Sequence, residues 1–283
     1  MSAAAQPIAV SSSDGVELAL WDLGGQGEPL LFAHATMFAG HIWAPLMPYL
    51  PGYRCWAPDL RGHGHSVTPE AADLSWPAAA EDVLAVVEHL GLHEVRAAGH
   101  SMGGTVLLLA EMARPGTFEG LWCYDPVLRP AGAATDSTPP ALDLAAGARR
   151  RRAVFPSRDA ARANFASKPP LANSRPEAIS AYVDWCFEDL PDGTVALRCR
   201  PDREATMYEL GETSGAFERL AEVRCPVTVV HGYPEPDHPS MWAAEVAAQL
   251  PHGREVIFPE LSHFGPLEDP AGMARSIRKS FGS

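Results

Sequence analysis

The chain has 283 residues, 46% hydrophobic and 20% charged, a composition for a folded protein of one large domain or one domain carrying an insertion. Acidic residues outnumber basic ones 35 to 22, and the net charge of −13 argues against a nucleic-acid partner, which it would repel. No stretch reaches the ~18 apolar residues of a membrane helix. The N-terminus, MSAAAQPIAVSSSDG, has neither a basic start nor a long apolar segment, so a cytoplasmic protein without a membrane partner is expected.

In chain order, PIAV and VELALWDLG flank the turn-forming SSSDG and predict a hairpin. PLLFAHA (29–35) is a continuous apolar run, as in a strand buried on both faces. IWAPLMPYL then predicts a short helix and YRCWAPDL the next strand. SWPAAAEDVLAVVEHLG (75–91) is an amphipathic helix with Ser75 as N-cap, Pro77 in the first turn and Gly91 as the stop. EVRAAG (94–99) predicts a strand, SMGGTVLLLAEMA a helix and EGLWCYD (119–125) another strand. After a long interval come strand CPVTVVHG (225–232), helix PSMWAAEVAAQL (239–250), strand REVIFP (254–259) and a final helix from Pro270. Repeated strand–helix–strand units imply an α/β protein with a mostly parallel central sheet and helices on both faces.

From about Arg129 to Gly215 the rhythm breaks. RPAGAATDSTPPA is turn-rich, and helix-like stretches follow around LDLAAGARRRRAVF and PEAISAYVDWCFEDL. These predict a core of residues 1–128 and 216–283 with a helical cap, 129–215, inserted between two strands. Its aromatic residues Phe155, Phe165, Tyr182, Trp185 and Phe187 are read chiefly as cap core. Arginines 149–152 sweep about 300° of a helix, so at least one should face inward. They are read as a solvated face pairing with this acidic protein rather than as an anion clamp. The five cysteines form no C-x-x-C pair and are expected to be buried free thiols in a reducing compartment.

Gly99-His100-Ser101-Met102-Gly103 fits G-x-S-x-G and lies between a predicted strand and a predicted helix, where that motif forms a sharp turn with its serine raised above the sheet. A Cβ two residues before or after the serine would collide with neighbouring backbone, so glycine permits the strain. The helix start after Ser101 aims free amides at the reacting oxygen. With DLRGHGHS (59–66), HA after the buried strand, and LSHFGPLEDP (261–270), the chain resembles the α/β-hydrolase superfamily along nearly its whole length outside the cap. The resemblance implies the α/β-hydrolase fold with a lid, similar to lidded esterases and lactonases.

It also implies that His263 is the base that deprotonates Ser101, since a serine hydroxyl is a poor nucleophile at neutral pH. His63 and His65 are read as a buttress near the elbow rather than a metal pair, His100 as packing beside the elbow, and His34 and His231 as structural. A carboxylate must fix the imidazole tautomer. Most relatives carry it after the strand PVTVVHG, where this chain has HGYPEPDHP with Glu235 and Asp237. Some lidded relatives carry it one sheet strand earlier, where WCYDPVLRP holds Asp125. Asp125 is favoured, Asp237 comes next and Glu235 third. By resemblance the oxyanion hole is the backbone amides of Met102 and Thr36, although HA stands here where most relatives have HG.

The expected function is a serine hydrolase, with no cofactor and no metal, that cleaves a carboxylic ester or related acyl substrate through an acyl-enzyme. Its partner is a small-molecule substrate, and the chain is a monomer or homodimer. A lactonase or a C–C bond hydrolase of ring-cleavage products is the alternative within the class, with peroxide-dependent halogenation as a side reaction of the same site. A non-catalytic small-molecule-binding protein on a hydrolase fold is the alternative outside it. Ser101 in the nucleophile position, rather than aspartate, argues against haloalkane dehalogenase and epoxide hydrolase chemistry.

Overall fold

The two N-terminal apolar runs fold back on each other through SSSDG, so β1 (Ile8–Ser11) pairs antiparallel with β2 (Glu17–Gly25). The computed structural model describes residues 6–130, 140–211, 214–235 and 238–282. β3 (Glu28–Ala33), β4 (Tyr53–Asp59), α1 (Trp76–His89), β5 (Val95–His100), α2 (Met102–Ala113) and β6 (Phe118–Tyr124) follow. α1 begins where Ser75 Oγ accepts a hydrogen bond from the Ala78 amide, and it is followed by Gly91 at φ +61°, a left-handed stop.

The segment after β6 contains α3 (Pro140–Arg150), β7 (Val154–Phe155), α4 (Arg158–Ala166), α5 (Pro176–Trp185), β8 (Phe187–Asp189), β9 (Val195–Leu197) and α6 (Pro201–Gly211). The chain then returns to the sheet with β10 (Val227–His231), α7 (Ala243–Gln249), β11 (Gly253–Ile257), α8 (Gly265–Glu268) and α9 (Pro270–Ser280). The main sheet has eight strands in the order β1-β2-β4-β3-β5-β6-β10-β11. β2 runs antiparallel to β1 and β4, and every other neighbouring pair is parallel.

Both faces are covered. Val83 and Val87 of α1, Val106 and Leu109 of α2 and Val246 of α7 belong to one apolar layer. Ile42 and Leu46, with Met273 and Ile277 of α9, belong to the other. The run expected as a short helix at 42–50 is a 3-10 helix over Gly40–Tyr49. Pro45 and Pro48 lie inside it, and without N–H groups they cannot donate the i→i−4 bonds of an α-helix.

The intervening segment differs from an all-helical expectation. It includes a three-stranded antiparallel sheet, β7-β9-β8, beside its helices. Residues 131–139 of its turn-rich start lie outside the described residues. Phe155, Phe165, Tyr182 and Phe187 pack their rings together at 5.0–6.1 Å between centroids. Fully burying each such ring contributes about 1.5–3 kcal/mol. Trp185 instead leaves this cluster and stacks on His41 of the 3-10 helix at 3.4 Å. Among the arginines, Arg149 pairs with Glu209 and Arg152 lies over the Phe155 ring. Arg151 faces inward onto Glu204 and the Tyr182 hydroxyl. All five cysteines are buried and free. Among the described residues, no helix is long and apolar enough to cross a membrane.

Candidate active site

β5 runs straight into α2 through one residue, Ser101, whose backbone sits at φ 54°, ψ −120°. A conformation of this kind costs of order 1–3 kcal/mol for a residue with a Cβ and persists only where the surroundings enforce it. They do so here through the Ser101 amide, which donates to the Tyr124 carbonyl (2.9 Å), and through close backbone approaches on both sides. A Cβ on Gly99 would lie 2.7 Å from the Gly103 carbonyl, and a Cβ on Gly103 would lie 2.2 Å from the Ala33 oxygen. Ser101 is 8% exposed at the carboxyl edge of the sheet.

His263 lies in the loop between β11 and α8, and its Nε2 is 3.1 Å from Ser101 Oγ. Its Nδ1 is 3.1 Å from Asp125 Oδ2. Asp125 follows β6 directly at φ 44°, a left-handed conformation that aspartate tolerates better than most side chains. Its amide donates to the Val230 carbonyl (2.7 Å), tying the end of β6 to β10. The carboxylate is 1% exposed, and Oδ1 has no hydrogen-bond partner among the described residues. A carboxylate can only accept, so Nδ1 carries the proton and Nε2 presents its lone pair to the serine hydroxyl.

Of the rival acids, Glu235 is half exposed and faces His238, with 3.8 Å between Oε2 and Nε2. Asp237 lies outside the described residues. Among the described residues, the carboxylate at hydrogen-bonding distance from His263 is the one after β6.

The turn after β3 brings Thr36 beside Met102. Thr36 Oγ1 donates to Met102 Sδ (3.3 Å), and neither residue's amide has a hydrogen-bond partner among the described residues. The turn places its positive φ on Met37 (74°) and not on Ala35, so alanine stands at 35 without left-handed strain. Below, the Met37 amide donates to His63 Nε2 (3.2 Å). Above, Arg151 Nη1 lies 3.8 Å from Met37 Sδ. His63 is fully buried and its pKa is pushed down to about 3, chiefly by desolvation, so it is neutral and free to accept.

His34 likewise accepts from the Leu60 amide (2.9 Å), and burial lowers its pKa. His65 does not join His63. It turns toward Asp59, Trp21 and Trp185. Among the described residues no group of three or more His, Cys, Asp or Glu side chains could hold a metal ion.

Two contacts were not visible in the sequence. His100 Nε2 donates to the backbone carbonyl of His263 (2.7 Å), and the Tyr124 hydroxyl donates to that of Ser262 (2.7 Å). Burial holds the His100 pKa well below its ordinary value, so the ring is neutral. The acceptors are main-chain oxygens, which no side-chain pattern announces. The only available signal was the position of each donor, one residue before Ser101 and one before Asp125.

A family model described as the alpha/beta hydrolase family matches residues 30–276. A non-heme haloperoxidase of Rhodococcus erythropolis is 29% identical over 269 residues, covering 90% of this chain and 92% of its own length. A bifunctional esterase/perhydrolase of Acinetobacter calcoaceticus is 25% identical over 268 residues, covering 92% and 94%. The crystal structure of E-2-(acetamidomethylene)succinate hydrolase superposes with a TM-score of 0.81 at 23% identity. It covers 98% of this chain and 100% of that one, a likeness of fold.

Proposed function

The chain belongs to the alpha/beta hydrolase family, and from that premise we propose that it is a serine hydrolase cleaving a carboxylic ester or related acyl substrate through an acyl-enzyme, with no cofactor. The observation that carries this reading is the continuous relay Ser101 Oγ–His263 Nε2 and His263 Nδ1–Asp125 Oδ2, 3.1 Å at each step. In this mechanism Ser101 Oγ attacks the substrate carbonyl carbon as its proton passes to His263 Nε2. Asp125 stabilises the imidazolium. The oxyanion takes hydrogen bonds from the Met102 and Thr36 amides, each such donor contributing about 10²–10³ in rate. The tetrahedral intermediate collapses, Nε2–H protonates the leaving alkoxide, and the acyl group stays on Ser101. Water activated by the same imidazole then attacks the acyl carbon, releasing the acid and restoring the hydroxyl.

The names of the two sequence relatives favour a second acceptor. Hydrogen peroxide in place of water would take the acyl group from Ser101 and leave as a peracid. The test of the proposal is intact-mass labelling with a fluorophosphonate. Wild type should gain one adduct and Ser101→Ala none. A folded wild type that gains no adduct would overturn the reading.

A further inference from the structure

His263 is the one member of the relay that stands on a loop, while Ser101 and Asp125 each follow a central strand directly. Part of what holds that loop in line is built from the two strands themselves. His100 and Tyr124 are cross-strand partners at the ends of β5 and β6. Each immediately precedes a relay member, and each sends a side-chain hydrogen to a consecutive carbonyl of the histidine loop, both at 2.7 Å. We propose that His100 and Tyr124 form a two-point clamp that positions His263 between Ser101 and Asp125, an inference that rests on the hydrolase reading above.

Three further features fit a clamp. Both donors are buried, His100 at 1% and Tyr124 at 0% exposure, so water cannot replace either bond. The His100 ring is packed against Phe38, Tyr124 and Phe264, which fixes the direction of its donor. Gly265 makes room for the tyrosine, since a Cβ there would lie 2.1 Å from the Tyr124 hydroxyl oxygen. The loop has its own local tie, in which Ser262 bonds to Glu268 through both its amide and its hydroxyl. That tie shapes the loop but does not reach the strands. The loop is also tied to the end of β10, where the Phe258 amide donates to the His231 carbonyl (2.9 Å) and the Tyr233 amide to the Leu261 carbonyl (2.8 Å). The clamp adds ties to β5 and β6, the strands that end in the nucleophile and the acid.

The test compares wild type, Tyr124→Phe, His100→Phe and His100→Gln, the last of which keeps an N–H donor. The readouts are kcat and KM on a short-chain 4-nitrophenyl ester, the rate of fluorophosphonate labelling, and Tm. Misplacing a catalytic group by about 1 Å costs about 10²-fold, so Tyr124→Phe and His100→Phe should each lower kcat about 10–100-fold with KM within about threefold. Labelling should slow in parallel, and His100→Gln should recover most of the loss. A folded Tyr124→Phe with wild-type kcat, or one that loses Tm and keeps kcat, would overturn the clamp. Should His100→Phe fail to fold, Tyr124→Phe decides alone, because it removes one oxygen and no packing volume. Wild-type protein that neither labels nor turns over overturns the hydrolase reading itself, a result visible before any variant is compared.

Discussion

Replacing Asp125 by Asn separates catalysis from stability more sharply than any other change at this site. The substitution preserves shape but removes the charge 3.1 Å from His263 Nδ1. Two unit charges about 4 Å apart at an effective dielectric of 20 interact with about 4 kcal/mol, which is about 10³ in rate. The amide NH₂ of Asn can also face Nδ1, forcing the proton onto Nε2, where it blocks acceptance from Ser101. The two effects together set an expected loss of about 10³–10⁴ in kcat/KM. Stability should respond in the opposite direction or not at all. The carboxylate is buried with Oδ1 unpartnered among the described residues, and a neutral amide is easier to bury than a charge. The assay is kcat/KM on a short-chain ester at pH 8 with Tm measured in parallel, alongside Glu235→Gln and Asp237→Asn, each expected within about twofold of wild type. Retention of wild-type activity within about tenfold by Asp125→Asn, or a collapse in Asp237→Asn, would refute the assignment.

Three other outcomes follow from burial and from the space around two glycines. His34, His41, His63 and His100 all have pKa values lowered chiefly by desolvation, to about 4 for His41 and about 3 for His63. These rings are neutral in the folded chain and take protons on unfolding once the pH falls below about 6.5. Stability should therefore drop as the pH is lowered from about 6.5 toward 4, by up to about 1.4 kcal/mol per pH unit for each fully buried ring and less for the half-buried His41. A Tm that stays flat between pH 7 and 5 would contradict this. In Gly103→Ala the new methyl would meet the Ala33 carbonyl oxygen at 2.2 Å and its carbon at 2.5 Å, so backbone must move and a loss of more than about 3 kcal/mol is expected. Gly147→Ala, on the exposed side of α3 with nothing within 4 Å, should gain about 0.5–1 kcal/mol, and urea unfolding of the pair measures both.

The elements legible in the sequence were those whose signal is local. Continuous apolar runs became β3, β5, β6 and β10, and Ser75 with Gly91 bounded α1, because burial and capping act within a few residues. The nucleophile was legible because its two glycines mark close backbone approaches, Gly99 to Gly103 and Gly103 to Ala33, and both lie within one five-residue motif. The acid was harder. Asp125 and the 235–237 stretch both follow central strands, and nothing local says which strand end lies under the histidine loop. That is decided by the neighbouring order β5-β6-β10 and by the Asp125 amide reaching Val230 across it. The small sheet β7-β9-β8 escaped because strands of two and three residues are too short to show a period of two.

The arginine run shows how far a pattern carries before chemistry takes over. A helical sweep over residues 149–152 predicts one inward arginine, and Arg151 does turn inward, but α3 ends at Arg150 and Arg151 lies just beyond it. Geometry alone does not say what that arginine meets. A guanidinium with 17% of its side chain exposed needs a counter-charge, because an unpaired buried cation costs several kcal/mol. Glu204, 4% exposed on α6, supplies it, and the Tyr182 hydroxyl takes a further hydrogen bond. The Arg151–Glu204 pair thus arrives at Met37 already neutralised, touching the turn that presents Thr36 while His63 holds the same residue from below. Read from the sequence as part of a solvated face pairing with this acidic protein, Arg151 does pair with an acid, but it is largely buried and not solvated. Its charge is satisfied within the inserted segment, and what it presents to the turn beside the nucleophile is a packed, electrically balanced surface.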